Sequence, residues 1–232
     1  MILIGERING MFKNVKQAIA DKNKKDIQEL AVKQTQAGAT YLDVNVGTAA
    51  ADQEGTMAWL VETIQEVCSS PLSLDSQKPS VIAAGLKVAN TENGIILNST
   101  PLNKKSDEEI FDKYVEMANQ AGPKASIIAL TMDKNGVPQD IDTRVAIAAD
   151  IVSKAMEVGF DGQSLSNLSQ GASARSLINR IFLTMAISRG LDSAIVDVFD
   201  QDLMNAVATA EMLMNKQIYS DSFLKVYSTS AT

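Results

Sequence analysis

Short apolar runs alternate with longer amphipathic stretches along this chain. The apolar runs predict strands at 2–8, 41–46, 72–75, 94–98, 126–132, 164–167 and 194–198. The stretches between them predict helices at 14–37, 57–68, 79–88, 107–120, 142–158, 176–188 and 202–216. Proline in the first turn of the helix 79–88 and a serine before the helix 107–120 support two of these starts.

Strict alternation of strand and helix predicts parallel strands joined by right-handed crossovers. Two architectures satisfy this pattern: a closed barrel and a doubly wound open sheet. Polar residues follow nearly every apolar run, which favours the barrel, because all its loops at one face converge on one site. The nucleotide-binding motifs GxGxxG and GxxxxGK[ST] do not occur in the sequence. We therefore predict an α/β fold, a TIM-type (β/α) barrel, with residues 1–232 forming a single domain.

The number of strands is the unusual feature of this pattern. About seven βα units are readable, whereas a closed barrel of this type has eight. Between the predicted strand 126–132 and the segment LSNLSQ (165–170) the sequence holds one helix and then only GFDGQ (159–163). A strand and a helix are missing there, which opens an edge, changes how the barrel closes, or recruits another chain.

Composition narrows the classes of function. The 232 residues carry a net charge of -7, which argues against a nucleic-acid backbone as partner. No apolar run approaches the roughly 20 residues that a membrane helix needs, and the N-terminus is charged too early for a signal peptide. The one cysteine, Cys68, fits a reducing compartment, so we expect a cytoplasmic protein. The chain has no histidine, which excludes Ser-His-Asp catalysis and histidine-ligated metal.

Asp75 and Asn98 are the strongest candidate site residues. Each ends an apolar run, and the two runs are one βα unit apart, so neighbouring strands would place both on one rim. Asp75 can accept two N–H bonds from an aminopyrimidine edge, and Asn98 can donate to and accept from the same ring. The competing interpretation is that they cap the helices that follow.

Asp43 and Asn45 lie two positions apart in LDVNVG and therefore point to the same side of their strand. If that side is the barrel interior, both face the site. The alternative is a structural polar layer that braces Glu6 and Arg7 of the first strand.

A third polar cluster, in and after LSNLSQ, contains Asn167 and Gln170, with Arg175 just beyond it. An amide here can be held over a reacting nitrogen, and Arg175 can meet an anionic ligand tail. A serine-rich turn and a solvated arginine are the simpler interpretations.

These motifs together resemble those of the methyltetrahydrofolate:corrinoid/iron-sulfur protein methyltransferases, within the pterin-binding barrels that include dihydropteroate synthase. The resemblance extends over nearly the whole chain, through IGERINGMF, GATYLDVNVG, LSLDS, ILNST, LTMDKNGVP, LSNLSQ, LINRIFLTMA and YSDSFLK. It implies a (β/α)8 barrel that acts as a homodimer. It also implies transfer of the N5 methyl group of methyltetrahydrofolate to Co(I) of a cobamide on a partner corrinoid protein, with no metal bound by this chain.

The resemblance also implies roles for individual residues. Asp75 and Asn98 would hold the pterin ring, and Asn167 would contact N5 as the catalytic group. Gln170 and Arg175 would lie in the matching loop. Relatives carry a sixth strand that ends in a further pterin-binding aspartate, and here Gly159 to Gly162 stands in place of that unit. We do not assign that role to Asp161, which lies in a glycine-flanked turn. The hypothesis is an internally shortened member of the family.

Three alternatives stay open from the sequence. The same chemistry can run in reverse, from the corrinoid to tetrahydrofolate. The shortened barrel can bind a folate or serve as a scaffold without turnover. A condensing enzyme of the dihydropteroate synthase type is a third possibility, disfavoured because such a site needs basic residues for pyrophosphate and the strand ends offer few.

Overall fold

The structure, a computed structural model, describes residues 1–48, 50–101, 105–130, 140–157 and 175–214. In this part of the chain, strands and helices alternate from the N-terminus. The strands are β1 (Ile2–Asn9), β2 (Tyr41–Asn45), β3 (Leu72–Asp75), β4 (Ile95–Pro101), β5 (Ala125–Leu130) and β6 (Ser193–Val196). The helices are α1 (Lys13–Ala20), α2 (Lys24–Gln36), α3 (Gln53–Gln65), α4 (Pro79–Leu86), α5 (Lys105–Ala121), α6 (Ile141–Glu157), α7 (Arg175–Ser188) and α8 (Gln201–Leu213).

The six described strands form one parallel sheet in the order β5-β4-β3-β2-β1-β6. Strands β1 to β5 are neighbours in chain order, and the last strand, β6, returns to pair with β1. This is the order that a closed (β/α) barrel requires, in which the final strand lies beside the first. The predicted parallel α/β arrangement is confirmed. The predicted strand at 164–167 lies outside the described residues.

The two faces of the sheet bury different side chains. Alternate strand residues such as Leu42, Leu72 and Leu97 join the helices in one large apolar core. The opposite face, called here the inner face, carries a small apolar cluster made of strand residues alone: Ile4, Ile96 and Ile128, with Tyr41 and Ile195 packed against it. These apolar side chains fill the lower part of the inner face. Their removal from water stabilises the fold.

One predicted helix is wrong in its extent. The helix predicted at 14–37 is two helices, α1 and α2, separated by residues 21–23. Lys22 adopts a positive φ of 50°, and the side chain of Asn23 accepts a hydrogen bond from the backbone N–H of Asp26 as the N-cap of α2. The apolar periodicity continues across the break, which hid it, whereas the Asn23 cap is the sequence signal that marks it.

Other element boundaries differ from the predictions by a few residues. Helix α3 begins at Gln53 instead of 57, because the Asp52 side chain accepts from the backbone N–H of Gly55 at 2.9 Å and caps the helix there. Strand β4 continues to Pro101, past the predicted end at 98.

Helix α7 exposes an apolar stripe. Leu177, Ile181 and Met185 are spaced four positions apart, so they lie on one face of the helix, and each is more than half exposed. Phe182 beside them is also exposed. Among the described helices, none combines the length and the apolar character that crossing a bilayer demands.

Candidate active site

Four residues predicted for the site come together at the upper, C-terminal part of the inner face. The parallel register pairs Asn45 with Asp75, and Asp75 with Asn98. Asp43 is paired with Ser73 one layer below. The layer above the apolar cluster is therefore polar on three consecutive strands, β2, β3 and β4.

Asp43 is buried directly below this polar layer and is hydrogen-bonded to it. Its side-chain oxygen Oδ1 accepts hydrogen bonds from Ser73 Oγ at 2.7 Å and from Asn98 Nδ2 at 2.9 Å. Asp43 is 3% exposed and Asn98 is 2% exposed. Two donors on one carboxylate oxygen offset part of the free energy lost when a carboxyl group leaves water.

Asp75 stands at the rim, where its side chain is partly exposed. Its Oδ1 accepts from Ser99 Oγ, and its Oδ2 accepts from Asn45 Nδ2. The other end of the Asn45 amide, Oδ1, accepts from the backbone N–H of Gly47 at 2.6 Å. The carboxylate is therefore held in one orientation by donors from both neighbouring strand ends.

Burial changes the acidity of both carboxyl groups. Loss of water raises the pKa of Asp43, and the nearby Asp75 and Glu6 raise it further, against the opposing effect of the bonds from Ser73 and Asn98. Burial also raises the pKa of Asp75, although the bonds from Ser99 and Asn45 act in the opposite direction. The pair therefore keeps a proton at pH values where an exposed aspartate is ionised, and it can donate as well as accept.

Ser99 has a strained backbone. Its φ is 68°, in the left-handed region that costs a non-glycine residue about 1–2 kcal/mol. The β4–β5 register shifts between Leu97 and Thr100, so Ser99 lies in an irregularity of the strand. This conformation directs its Oγ to Asp75, while its N–H donates to Asn98 Oδ1 at 2.6 Å. Strain maintained by several hydrogen bonds is typical of a functional site.

A cavity of about 270 Å³ opens beside Asp75. Its volume is near the lower end of small-molecule sites, which begin at roughly 300 Å³. Asp43 and Asn98 lie outside its lining. Most of the wall comes from the loops after β2 and β3, and the lining residues are Asn45, Val46, Gly47, Gln53, Asp75, Ser76, Gln77, Lys78, Val81 and Ser99.

Gly47 is required for the backbone path at this rim. Its φ is 58°, and a Cβ there would lie 2.9 Å from the carbonyl carbon of Gly10. A side chain at this position would therefore push apart the loops after β1 and β2.

The capping interpretation of Asp75 is wrong. Helix α4 begins at Pro79, and its N-cap, Lys78, forms no side-chain capping bond. Both Asp75 oxygens are engaged by Asn45 and Ser99 instead. The carboxylate is thus part of the rim network and not of the following helix.

The described residues do not show the bracing that was the alternative for Asp43 and Asn45. The negative charge of Glu6 raises the pKa of Asp43, which is a repulsive effect and not a bracing contact. Arg7, however, forms an ion pair with Asp197 at 3.4 Å and stacks over Phe12, 4.5 Å from the ring centre. Its partner therefore comes from the loop after β6 and not from β2.

Sequence reasoning missed several residues at this site, notably Ser73, Ser99 and Lys78. Ser73 had a signal, since it lies two positions before Asp75 and therefore on the same strand face. Ser99 had none, because its contact depends on the irregularity in β4.

Asn167 and Gln170 lie outside the described residues. Arg175 is the first residue of α7, but its side chain is not among those described. The roles of these three residues stay predictions. Within the described ranges, no group of three or more Cys, Asp or Glu side chains is arranged to hold a metal ion.

Comparison with known proteins identifies relatives of this chain. The model of the family described as "Pterin binding enzyme" matches residues 12–166. A methylcorrinoid:tetrahydrofolate methyltransferase from Eubacterium limosum is 29% identical, covering 96% of this chain and 96% of that protein. The methionine synthase of Mycobacterium leprae is 26% identical over 84% of this chain, which corresponds to 20% of that longer protein.

Solved structures show the same fold. The dihydropteroate synthase of Vibrio fischeri ES114 superposes with a TM-score of 0.58 at 12% identity, covering 94% of each chain. That of Yersinia pestis, with a pterine-sulfa conjugate, gives 0.54 at 12% identity, covering 93% of this chain and 94% of that chain. At this identity the likeness concerns the fold alone, and it confirms the predicted TIM-type α/β architecture.

The alignment with the Eubacterium limosum protein supports an internally shortened chain. Its 266 aligned positions exceed the 232 residues of this chain by 34, so at least that many positions of the relative have no counterpart here. A gap of this size is what the loss of one strand and one helix would leave.

The raised pKa values predict a pH-dependent stability. The folded chain binds more protons than the unfolded one between the ordinary aspartate pKa and the raised values, so the free energy of unfolding falls as pH rises through that window. Each such proton contributes a slope of up to about 1.4 kcal/mol per pH unit. In the Asp43→Asn variant the side-chain Oδ1 can still accept hydrogen bonds from Ser73 and Asn98, so we expect the variant to fold. Because an amide does not titrate, we expect a smaller dependence of the free energy of unfolding on pH.

Urea unfolding between pH 5 and pH 8 measures this slope. The matched control is Asp21→Asn, an exposed position outside the network, and we expect it to keep the wild-type slope. An Asp43→Asn slope equal to that of the wild type would contradict the assignment of the raised pKa to Asp43.

Proposed function

Because the chain belongs to the pterin-binding enzyme family, we propose that it is a methyltransferase acting on methyltetrahydrofolate. In this proposal the N5 methyl group passes to the Co(I) corrinoid of a partner corrinoid protein, or back by the same chemistry. The name of the Eubacterium limosum relative specifies methylcorrinoid and tetrahydrofolate as reactants, and that relative aligns along 96% of this chain. The observation that carries the proposal is the Asp75 carboxylate, fixed by Asn45 and Ser99 at the wall of the cavity.

The rim suits the donor edge of a pterin. Each carboxylate oxygen of Asp75 accepts one bond within the protein and has a second lone pair available for a ring N–H. Asn98 Oδ1 likewise accepts one bond, from Ser99 N–H, and keeps one acceptor site. We keep Asp75 and Asn98 as proposed ring contacts, with Asp43 and Asn45 as the groups that orient them.

Methyl transfer breaks the N5–CH3 bond and forms a bond between that carbon and cobalt. The electron pair of Co(I) forms the new bond, and the pair of the broken bond stays on N5. The tertiary amine N5 must first take a proton from water, because otherwise it would leave as an unstable nitrogen anion. We propose that the Asn167 amide oxygen accepts a hydrogen bond from this N5 proton. Stabilising charge on the reacting nitrogen and fixing the direction of attack are the two ways in which this chain lowers the barrier. Gln170 and Arg175 are proposed to complete the same loop.

A pterin-binding barrel without turnover is the second candidate. The observation in its favour is that at least 34 positions of the relative, in total, have no counterpart here. Binding and transfer must therefore be measured separately.

Pterin binding tests the role of Asp75. Asp75→Ala removes the acceptor for the ring donors, and charged hydrogen bonds contribute roughly 1.5–3 kcal/mol. We expect methyltetrahydrofolate to bind about 10- to 100-fold more weakly in a calorimetric titration. Asp21→Ala is the exposed control and should bind as the wild type does. Unchanged affinity in a folded Asp75→Ala variant would place the ligand elsewhere.

Methyl transfer tests the role of Asn167. In a single-turnover reaction with methyltetrahydrofolate and Co(I) cobalamin, we expect Asn167→Ala to lower the rate about 100-fold, as loss of one group that stabilises developing charge does. Its dissociation constant for methyltetrahydrofolate should change little. Asn93→Ala, on the loop before β4 at the opposite end of the sheet, is the matched control. A wild-type chain that binds but does not transfer would favour the second candidate.

We also propose that the chain acts as a homodimer. The apolar stripe of Leu177, Ile181 and Met185 supports this proposal, since exposed apolar patches mark association surfaces. In sedimentation equilibrium we expect a wild-type dimer and an Ile181→Glu monomer. Asn119→Glu, at an exposed position on α5 and away from the stripe, should stay dimeric. A wild-type monomer at micromolar concentration would contradict this part of the proposal.

A further inference from the structure

Lys78 gives the wall of the cavity a positively charged, solvent-exposed side chain. It lies in the loop between β3 and α4, three positions after Asp75, and both residues line the cavity. Its side chain is exposed, whereas Asp75 is partly buried at the rim. Among the residues that the structure describes, no acidic side chain forms an ion pair with Lys78. The wall of the cavity therefore carries both a carboxylate and an ammonium group.

The ammonium group of Lys78 is held in place by the protein. Its Nζ donates to Gln53 Oε1 at 2.8 Å. The other end of that amide, Gln53 Nε2, donates to the backbone carbonyl of Gly47 at 3.0 Å. Gln53 thus links the loop after β2 to Lys78, and both Gln53 and Gly47 belong to the cavity wall. The positive end of the α4 dipole lies at the same place, since Lys78 is the N-cap of that helix.

This arrangement matches the two ends of a folate. A pterin ring presents N–H donors, whereas the glutamate tail of a folate carries carboxylates. If the ring binds at Asp75, the tail must extend toward solvent, and Lys78 is the solvent-exposed cation of the cavity wall. We propose that Lys78, positioned by Gln53, binds the glutamate carboxylates, so that the site selects folates over pterins that lack a tail. This inference rests on the proposed function and adds a specificity-determining residue to it.

The test measures the contribution of the glutamate tail to binding separately from that of the pterin ring. Wild type, Lys78→Gln and Lys87→Gln are titrated with methyltetrahydrofolate and with a tail-less N5-methylated tetrahydropterin. Lys87 is exposed at the other end of α4 and does not line the cavity, which makes it a matched control. We expect Lys78→Gln to weaken the binding of methyltetrahydrofolate about 2- to 5-fold, as the loss of a solvent-exposed ion pair does, and to leave the binding of the pterin unaffected.

Two further readouts follow from the ionic character of the contact. The wild-type preference for the folate over the pterin should shrink as salt is raised, and Lys78→Arg should retain it. Equal weakening of both ligands by Lys78→Gln, or no weakening of either, would overturn the inference while leaving the proposed function standing. A folded wild-type chain that binds neither ligand would overturn both.

Discussion

A buried carboxyl group, Asp43, and a partly buried one, Asp75, lie on neighbouring strands and must both be hydrogen-bonded for this sheet to form. A buried carboxyl group without donors destabilises a fold by several kcal/mol. Here the parallel register places Ser73 and Asn98 against Asp43, and Asn45 and Ser99 against Asp75. Any slip of β3 against its neighbours would separate these pairs. The network therefore fixes the register of β2, β3 and β4 and at the same time presents Asp75 to the cavity.

The inner face of the sheet has an apolar layer and a polar layer. Its lower layer is apolar and stabilises the sheet, and its upper layer is polar and forms the site. The missing βα unit falls, by sequence, after β5, whereas the network lies on β2 to β4. The structure retains the carboxylate–amide network on these three strands. The resemblance to the family implies a further pterin-binding aspartate in the absent unit, and under the proposed function the remaining contacts would have to hold the ligand without it.

The sequence predicted most of the strands and the strand ends that matter, because polar residues after buried apolar runs are conspicuous. Asp43 and Asn45 followed from period-2 alternation, and Asp75 and Asn98 from their adjacent units. The role of Ser99 could not be predicted from the sequence. It adopts a left-handed backbone conformation within an irregularity of β4, and such a position has no periodic pattern. Lys78 was also missed, because its importance comes from the fold of the loop and not from a motif. The break between α1 and α2 was overlooked because the apolar spacing runs through it.

We propose that the ends of β2, β3 and β4 form a working pterin site. Hydrogen–deuterium exchange of the wild-type chain, with and without methyltetrahydrofolate, can locate the ligand, because a bound ring must slow exchange where it contacts the backbone. We expect protection in peptides that cover 43–47, 73–78 and 97–100. Unchanged exchange in all three segments at a saturating ligand concentration, or protection confined to other parts of the chain, would show that the pterin does not bind at these strand ends.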